Sequence, residues 1–543
     1  MKLQSMRIKK KEDKMLKQKK KIASAIALSL IVPLALAGCG TDTTSGKKEE
    51  VSPSQTAQVK GQQNEQPVEL TFYIANSPVK DMDRIMEAAN KIIKEKINAT
   101  LKLVVTDWST YPQKVNLMIS SGEPFDLAFT GSFGELNYFQ NASKGAFKDI
   151  TELLDKYAPT TKSRVPENIW QGIKVNGKIF GSINYQVWGM AGARGVQLRK
   201  DFVDKYQFDW KSAKKWEDLT PFLDAVKKGE PDMIPWEYSI QQDNFADMSV
   251  VYGMDSVGDN KIPGWVRYND KDIKVINQYE TQEYKDYLKL FRSWYQKGYI
   301  KKDAATMKDY VPDRKAKRIA ALYANPYPDL VDMPELSTSS FMAMAPPDDK
   351  VYSYTKRFTE PFISANTPST ALVAVGANSK HPEKAVQLIE LLNTNDELFH
   401  LLAFGQDGKD YKKIGEKKID MIKDQYNFNW SEWEIGQSYG RMLWDQNTDV
   451  ESREKSLNII YQADKTAMIS PVMGFVFNTE PVKTQMANVD ATLKELLYAL
   501  DSGTADPDKY YEEFIKKLKN AGADDIIAEK QKQINEWRKQ NGK

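Results

Sequence analysis

The chain has 543 residues, a net charge of +3, a single cysteine and two histidines. This length predicts two or three domains, and one cysteine excludes a disulfide within the chain. The basic charge belongs to the N-terminal leader. Before Cys39 there are ten Lys and Arg against two acidic residues, so the remainder has a net charge of −5. The charge therefore gives no support for a nucleic acid partner.

An export signal is predicted at the N-terminus. Four lysines between positions 17 and 21 precede the almost entirely apolar run 22–37. This run is shorter than the roughly 20 residues that a membrane-spanning helix needs, and small residues follow it, as in a secretory signal. The run ends in Leu-Ala-Gly before Cys39, which resembles the bacterial lipobox, whose cysteine is diacylated after cleavage.

We therefore expect residues 1–38 to be a lipoprotein signal peptide and Cys39 to carry the lipid (palmitate). Residues 39–67 are polar and small, which is typical of a flexible linker. The mature chain is predicted to lie on the extracytoplasmic face of the cell membrane, held only by its lipid anchor. Translation from Met15 instead of Met1 would give a more ordinary basic segment.

The folded body begins with strands and helices in alternation. β-rich runs at 68–75, 100–106 and 125–130 predict strands, and helical spacing of apolar residues predicts helices over 82–97 and 111–121. Strands that alternate with helices form a parallel sheet with helices on its faces. The first part of the body is therefore predicted to be α/β.

The carboxyl ends of these strands are candidate ligand positions, because ligands of such sheets bind there. They carry Asn76, Trp108, Thr130 and Ser132. The polar residues are equally typical of turns. Trp108 fits a turn less well, because a tryptophan in a turn needs a surface on which to lie.

A β-hairpin is predicted at Asn176-Gly177, which lies between two short apolar runs. The same stretch nearly matches a phosphate-binding loop. The position that needs Ser or Thr holds Ile179, and no helix follows, so nucleotide binding is rejected. Farther on, residues 281–297 predict a helix, and residues 318–324 and 371–375 predict strands.

Several short motifs follow one another along the body: GEPFDL at 122–127, GAFKDI at 145–150, VNGKI at 175–179, LRKD at 198–201, ANSKHPEKA at 377–385, GFVF at 474–477 and QKQINEW at 531–537. In this order they resemble the extracellular solute-binding proteins of ABC importers, of the carbohydrate-binding family 1 type. The resemblance extends from about residue 68 to the end. The last two motifs resemble a large subgroup that is associated with uptake of complex plant-derived oligosaccharides.

The resemblance implies an α/β, two-lobed periplasmic-binding-protein-like (type II) fold with a ligand cleft between the lobes. Residues 68–395 would form the two-lobe core. Lobe one would contain residues 68–185 and 338–395, and lobe two residues 186–337 with part of the C-terminus. Residues 396–543 would be a helical C-terminal region that packs on lobe two.

The function that this resemblance implies is capture of a sugar or oligosaccharide by lobe closure and delivery to the permease subunits of an ABC importer. We expect a monomer without a cofactor, a metal or enzymatic activity. A surface-anchored glycoside hydrolase or lyase remains an alternative, because 74 acidic residues leave room for a carboxylate pair. A peptide-binding lipoprotein is a second alternative.

A bound sugar would stack on aromatic rings and form hydrogen bonds with polar side chains. The aromatic candidates are Trp108, Trp188, Trp236, Trp265 and Tyr327. The polar candidates are Asn76, Thr130, Ser132, Tyr185, Gln186, Arg194 and Asn325. Each tryptophan is equally compatible with a core position. Tyr327 lies between two prolines, where the resemblance implies a cleft aromatic. Arg194 suits a uronate carboxylate or is an ordinary hinge-surface charge.

Overall fold

Two larger sheets, each with its own hydrophobic core, form the body of the protein. The computed structural model describes residues 66–77, 81–132, 136–187, 189–238, 244–307, 310–324, 353–422, 432–446 and 448–540. None of its described helices is long and apolar enough to cross a membrane. The predicted signal peptide and Cys39 lie outside the described residues.

The strands of the described residues are, in chain order, β1 (Val68–Ala75), β2 (Ala99–Thr106), β3 (Leu127–Thr130), β4 (Gly181–Ile183), β5 (Gly195–Arg199), β6 (Ile234–Trp236), β7 (Met254–Ser256), β8 (Trp265–Arg267), β9 (Ile319–Ala324), β10 (Ser353–Arg357), β11 (Phe362–Ile363), β12 (Leu372–Val375), β13 (Tyr411–Lys413), β14 (Lys418–Met421), β15 (Trp444–Asp445) and β16 (Met468–Ile469).

The α-helices of the same residues are α1 (Met82–Ile97), α2 (Tyr111–Ser121), α3 (Tyr138–Ser143), α4 (Thr151–Tyr157), α5 (Pro159–Arg164), α6 (Glu167–Trp170), α7 (Lys200–Lys205), α8 (Thr220–Gly229), α9 (Gln282–Gln296), α10 (Val311–Lys315), α11 (Pro382–Thr394), α12 (Asp396–Phe404), α13 (Glu432–Ile435), α14 (Val450–Thr466), α15 (Lys483–Asp501), α16 (Pro507–Asn520) and α17 (Ala523–Gln540). Short 3-10 helices lie at Gln171–Ile173, Trp216–Leu219, Phe245–Tyr252, Gln278–Glu280, Ala304–Thr306, Thr367–Ser369 and Glu480–Val482.

The first lobe is built on a five-stranded sheet with the order β2-β1-β3-β12-β4. β1 is parallel to β2 and β3, which confirms the predicted parallel pairing, and β12 runs antiparallel to β3 and β4. All residues of β3 and β12 are buried. Helices cover both faces of such strands, which is why they are continuously apolar and do not alternate.

The predicted hairpin at Asn176-Gly177 is also present. Val175 and Lys178 exchange backbone hydrogen bonds of 2.9 and 3.0 Å. Asn176 has φ 51° and Gly177 has φ 78°, as a type I′ turn requires at both central positions. The sequence pair Asn-Gly therefore fixes this turn locally.

The second lobe is built on a four-stranded sheet with the order β10-β5-β9-β6. Its core is rich in aromatic residues, and Trp216, Trp236 and Trp294 are all fully buried there. β10 pairs antiparallel with β5. Residues 353–357 therefore belong to the second lobe, which corrects the assignment of the whole range 338–395 to lobe one.

The C-terminal region divides between the lobes, which corrects the expectation that residues 396–543 pack on lobe two. α12 contributes Leu398 and Phe399 to the core of the first lobe. Arg84 on α1 pairs with the buried Asp410 at 2.8 Å. Farther along, α15, α16 and α17 bury apolar residues in the core of the second lobe.

The chain crosses between the lobes beside two short strands. Gly192 and Phe362 exchange backbone hydrogen bonds of 2.8 and 2.9 Å, and β11 pairs in parallel with β16. The first crossing follows β4 and reaches β5. These paired segments form the hinge.

A buried carboxylate on α14 holds this first crossing. Asp464 accepts hydrogen bonds from the Met190 N–H at 2.9 Å, from the Ala191 N–H and from the Tyr185 hydroxyl. Gly189 has φ 68°, and a Cβ there would lie 2.8 Å from an Asp464 carboxylate oxygen. Glycine is therefore required at this position by both conformation and space.

We predict that Gly189→Ala lowers the free energy of unfolding by more than Gly253→Ala does. Gly253 has φ 69°, but a Cβ there would have no atom within 4 Å. Both variants incur the roughly 1–2 kcal/mol cost of alanine in the left-handed region. Only Gly189→Ala displaces a buried, hydrogen-bonded carboxylate, which adds about 1–3 kcal/mol. Urea unfolding measures both. Equal losses would show that the Asp464 contact contributes nothing.

Candidate functional site

A cleft of about 2260 Å³ opens between the two lobes. This volume exceeds the roughly 300–1,000 Å³ of typical small-molecule pockets. The first lobe contributes Ser132, after β3, and the hairpin residue Asn176. The second lobe contributes Asp247 and Tyr323, and further residues come from the C-terminal region. The cleft therefore lies at the carboxyl end of β3, where a ligand of a parallel sheet is expected.

Arg194 lies in the hinge and lines this cleft. Its Nε donates to the Asp247 carbonyl oxygen at 3.4 Å, and its Nη1 donates to the Ala193 carbonyl oxygen at 3.2 Å. The guanidinium lies over the Phe362 ring, 4.8 Å from its centroid. These contacts connect the hinge to the second lobe and hold the arginine in one orientation.

Two carboxylates lie close to Arg194. Asp247 accepts a hydrogen bond from the Asn260 amide at 3.1 Å, and Asp255 accepts one from the Ala365 N–H at 3.0 Å. Burial raises the pKa of both carboxyl groups, and the positive charge of Arg194 acts against this rise. Arg194 therefore lies within electrostatic range of two buried carboxyl groups.

The charges of the cleft wall are balanced overall. The basic lining residues are Lys144, Lys174, Arg194, Arg314, Lys530 and Lys532. The acidic lining residues are Asp247, Asp255, Asp259, Glu480, Glu529 and Glu536. Arg314 is paired with Glu237, and burial lowers the pKa of Lys530 to about 7. Among the described lining residues there is therefore no excess of positive charge that would attract an anionic ligand.

Of the residues predicted to bind ligand, Ser132 and Arg194 line the cleft. The Ser132 hydroxyl donates to the Asn366 carbonyl oxygen at 3.3 Å. Asn76 and Gln186 are partly exposed but do not line this cleft. Trp188, Asn325 and Tyr327 lie outside the described residues.

Four of the predicted residues are buried, which corrects their placement in the site. Trp236 is 0% exposed with its ring 5.2 Å from that of Trp294, and Trp265 is 0% exposed and stacks on Phe245. Thr130 and Tyr185 are also buried and donate to protein acceptors, the Leu136 carbonyl oxygen and Asp464 respectively. These side chains fill the cores and present no surface to a ligand in this structure.

Trp108 is 39% exposed and stacks on Trp433, a residue that the sequence did not indicate. The two rings lie 5.7 Å apart at an angle of 7°, and both meet Phe129 edge to face. The Asn184 amide donates to the carbonyl oxygens of Trp433 and Glu434 at 3.0 and 2.9 Å. The pair is thus a fixed aromatic surface beside the carboxyl edge of the first sheet.

Glu434 anchors this aromatic pair to the sheet. Its carboxyl group is 1% exposed and accepts a hydrogen bond from the Ala75 N–H at 2.9 Å. Burial raises the pKa of Glu434 to about 9, and the charge of Glu432 adds to the rise. The group is therefore neutral at pH 7.

The cleft also contains residues of the C-terminal region. Phe475, Gln533 and Trp537 line it, although they are far from the lobe-one strands in the sequence. Trp537 falls in a motif that carried the family resemblance, which is the one sequence signal that singled it out. Asp247 and Asn260 had no comparable signal.

Comparison with known proteins identifies the family. Residues 78–398 match the model of the bacterial extracellular solute-binding proteins. The chain belongs to this family. Residues 471–539 of this solute-binding protein match a domain of unknown function (DUF3502). It is 31% identical over 537 residues to a carbohydrate ABC transporter substrate-binding protein of Streptococcus pneumoniae serotype 4, covering 96% of this chain and 99% of the relative.

Solved structures show the same two-lobed architecture. The N-glycan transport solute-binding protein of Streptococcus pneumoniae is 28% identical, with a TM-score of 0.72, covering 87% of this solute-binding protein and 99% of the other. The same protein in complex with Man5GlcNAc is 29% identical over the same shares of both chains, with a TM-score of 0.61.

We predict that the Glu434→Gln variant loses less stability than the wild type as the pH rises. The folded pKa of Glu434 is about 9, whereas an exposed glutamate ionises near 4.5. The folded state therefore holds a proton that the unfolded state loses. The free energy of unfolding therefore falls by about 1.4 kcal/mol for each pH unit between the pKa of the unfolded state and that of the folded state. Glutamine removes this term.

The measurement is urea unfolding from pH 5 to 8. Glu416→Gln, at an exposed turn between β13 and β14, is the control and should follow the wild type. Parallel pH profiles for Glu434→Gln and the wild type would mean that Glu434 is ionised in the folded protein.

Proposed function

We propose that this chain is the extracytoplasmic substrate-binding component of an ABC importer. It captures an oligosaccharide between its lobes and delivers it to a membrane permease. The observation that carries the proposal is a cleft of about 2260 Å³ in a chain that is 31% identical to a carbohydrate ABC transporter substrate-binding protein along almost its whole length.

The chemistry of the cleft suits a neutral glycan. Arg194 is the candidate for binding a uronate carboxylate, but the carboxyl groups of Asp247 and Asp255 lie within its electrostatic range. An acidic ligand would bring a further carboxylate close to these two carboxyl groups, which is unfavourable in a partly buried site. Hydroxyl groups, in contrast, donate and accept without adding charge, and amide and hydroxyl side chains line the same walls.

The first choice of ligand is an oligosaccharide of mannose and N-acetylglucosamine. The relative that binds Man5GlcNAc is 29% identical to this chain, which supports this choice. The volume of the cleft favours several linked sugar rings over a single one. A plant-derived oligosaccharide stays a prediction.

Lobe closure follows from the distribution of the binding groups over both lobes. A ligand satisfies both walls only when they approach, so it shifts the population toward the closed form. The TM-score is 0.72 for the relative's structure without a named glycan and 0.61 for its glycan complex, at equal coverage. The present chain is therefore more similar in arrangement to the structure without a named glycan than to the complex.

Two other functions make different predictions for the same cleft. A glycoside hydrolase or lyase needs a carboxylate pair aimed at the scissile bond. Asp247 and Asp255 accept hydrogen bonds from protein amides beside Arg194, which favours a positioning role for them. A peptide-binding protein would be stabilised by peptides and not by glycans.

We predict that Man5GlcNAc raises the melting temperature of the purified protein and is recovered intact. At a hundred times its dissociation constant a ligand adds about 2.7 kcal/mol of stability. Tri-galacturonate, which is acidic, should give a smaller shift, because the described lining residues carry as many acidic as basic side chains. Differential scanning fluorimetry measures the shift, and mass spectrometry identifies the recovered glycan.

Three outcomes would contradict this proposal. Absence of a shift with every neutral glycan tested would remove oligosaccharide capture. A shift with tri-galacturonate alone would reverse the charge argument. Cleavage products that disappear in an Asp247→Asn variant would assign the protein to the hydrolases or lyases.

We also propose that Cys39 carries the lipid that holds the protein at the membrane. The proposal rests on the basic and apolar residues before it and on its place as the only cysteine. A lipid chain adds roughly 0.8 kcal/mol of membrane affinity for each buried methylene, and two chains give stable anchoring.

Cys39→Ala is therefore expected to leave a precursor that is neither acylated nor cleaved at this cysteine. Detergent-phase partitioning and the mass of the N-terminal peptide would measure this in cells that express each form. Ser45→Ala, in the adjoining linker, is the control and should partition like the wild type. Equal labelling of wild type and Cys39→Ala with an azide-tagged fatty acid would contradict the proposal.

A further inference from the structure

The C-terminal segment that matches a domain of unknown function supplies part of the cleft wall. Residues 472–481 and the helix α17 both border the cleft, whereas α15 contributes only Met486 to the described lining and otherwise packs with α16 into the second lobe. The segment is therefore neither a separate domain nor only an outer support. Its position allows it to contact a ligand that is bound in the cleft.

One face of α17 is fixed to the second lobe. Lys530 is fully buried, and its Nζ donates to the Pro263 carbonyl oxygen at 2.9 Å. The Gln531 amide accepts from the Val275 N–H at 2.7 Å and donates to the Ile273 carbonyl oxygen at 3.3 Å. Ile534 is 0% exposed in a small core with residues of the same lobe. The helix therefore moves with the second lobe.

The next helical face turns toward the cleft. Gln533 and the backbone of Asn478 exchange two hydrogen bonds of 2.9 Å, which hold residues 472–481 against the helix. Trp537 is half-buried and meets Phe475 edge to face, with ring centroids 5.7 Å apart. An aromatic pair with amide groups one helical turn away combines the two kinds of group that a sugar ring requires.

We propose that residues 472–481 and α17 form a third wall of the cleft, which binds the outer rings of a long oligosaccharide and makes binding dependent on chain length. This inference rests on the proposed function. The inner rings would contact the hinge and both lobes, and Trp537 with the exposed Gln540, one helical turn farther along α17, would contact rings beyond the second. The cleft volume, larger than that of a typical pocket for one small ligand, provides the space.

The test compares two glycans by isothermal titration calorimetry on the purified protein. The short ligand is the disaccharide of mannose and N-acetylglucosamine, and the long ligand is Man5GlcNAc. Trp537→Ala should weaken binding of Man5GlcNAc about fivefold to tenfold, as expected for loss of one aromatic stacking contact. Its affinity for the disaccharide should change less than twofold.

Two further variants keep the test decisive. Trp537→Leu retains apolar bulk against Phe475 without a ring face, so it should show the same chain-length effect if Trp537→Ala folds poorly. Tyr510→Ala is the control, because Tyr510 is a 43% exposed aromatic residue of the same segment that does not line the cleft. It should bind both glycans like the wild type.

The possible outcomes separate this inference from the proposed function. If both Trp537 variants bind Man5GlcNAc as tightly as the wild type does, the third wall is contradicted, whereas oligosaccharide capture is not. If the Trp537 variants bind both glycans more weakly by the same factor, the third wall is also contradicted, because the segment would then act only on closure or folding. Binding of neither glycan by the wild type would contradict the proposed function, and the inference would fall with it.

Discussion

The cleft depends on one buried carboxylate, that of Asp464. Three hydrogen bonds from the first crossing segment converge on it, and a fourth constraint is the absence of a side chain at Gly189. Burial raises the pKa of Asp464, so these donors act against a substantial cost of desolvation. The crossing segment leads directly to Arg194. The orientation of the hinge arginine therefore depends on a helix 270 residues farther along the chain.

The two lobes hold their shape in different ways, and this determines where ligand groups can lie. The first lobe is a layered α/β sheet, and its strand ends leave polar residues and the Trp108–Trp433 pair near the surface. The core of the second lobe is a cluster of aromatic rings, in which Trp236 and Trp265 are buried. Its cleft surface is instead formed by Asp247 and by the C-terminal helix α17.

The sequence patterns predicted those strands, helices and turns that interactions between neighbouring residues determine. The strand at 68–75, the helix at 111–121 and the Asn176-Gly177 turn have the predicted bounds, because periodicity and turn chemistry act over a few residues. The choice between core and surface for a tryptophan depends on distant neighbours. For this reason Trp236 resembled a ligand platform in the sequence, whereas Trp433 gave no signal at all. Division of the C-terminal region between both lobes was missed for the same reason.

Closure of the lobes on a glycan is the central claim, and small-angle X-ray scattering of the purified protein tests it most directly. Saturation with Man5GlcNAc should reduce the radius of gyration relative to the unliganded protein, because both cleft walls approach the ligand. An unchanged scattering curve, at a concentration where calorimetry shows full occupancy, would contradict closure and would indicate a rigid binding site.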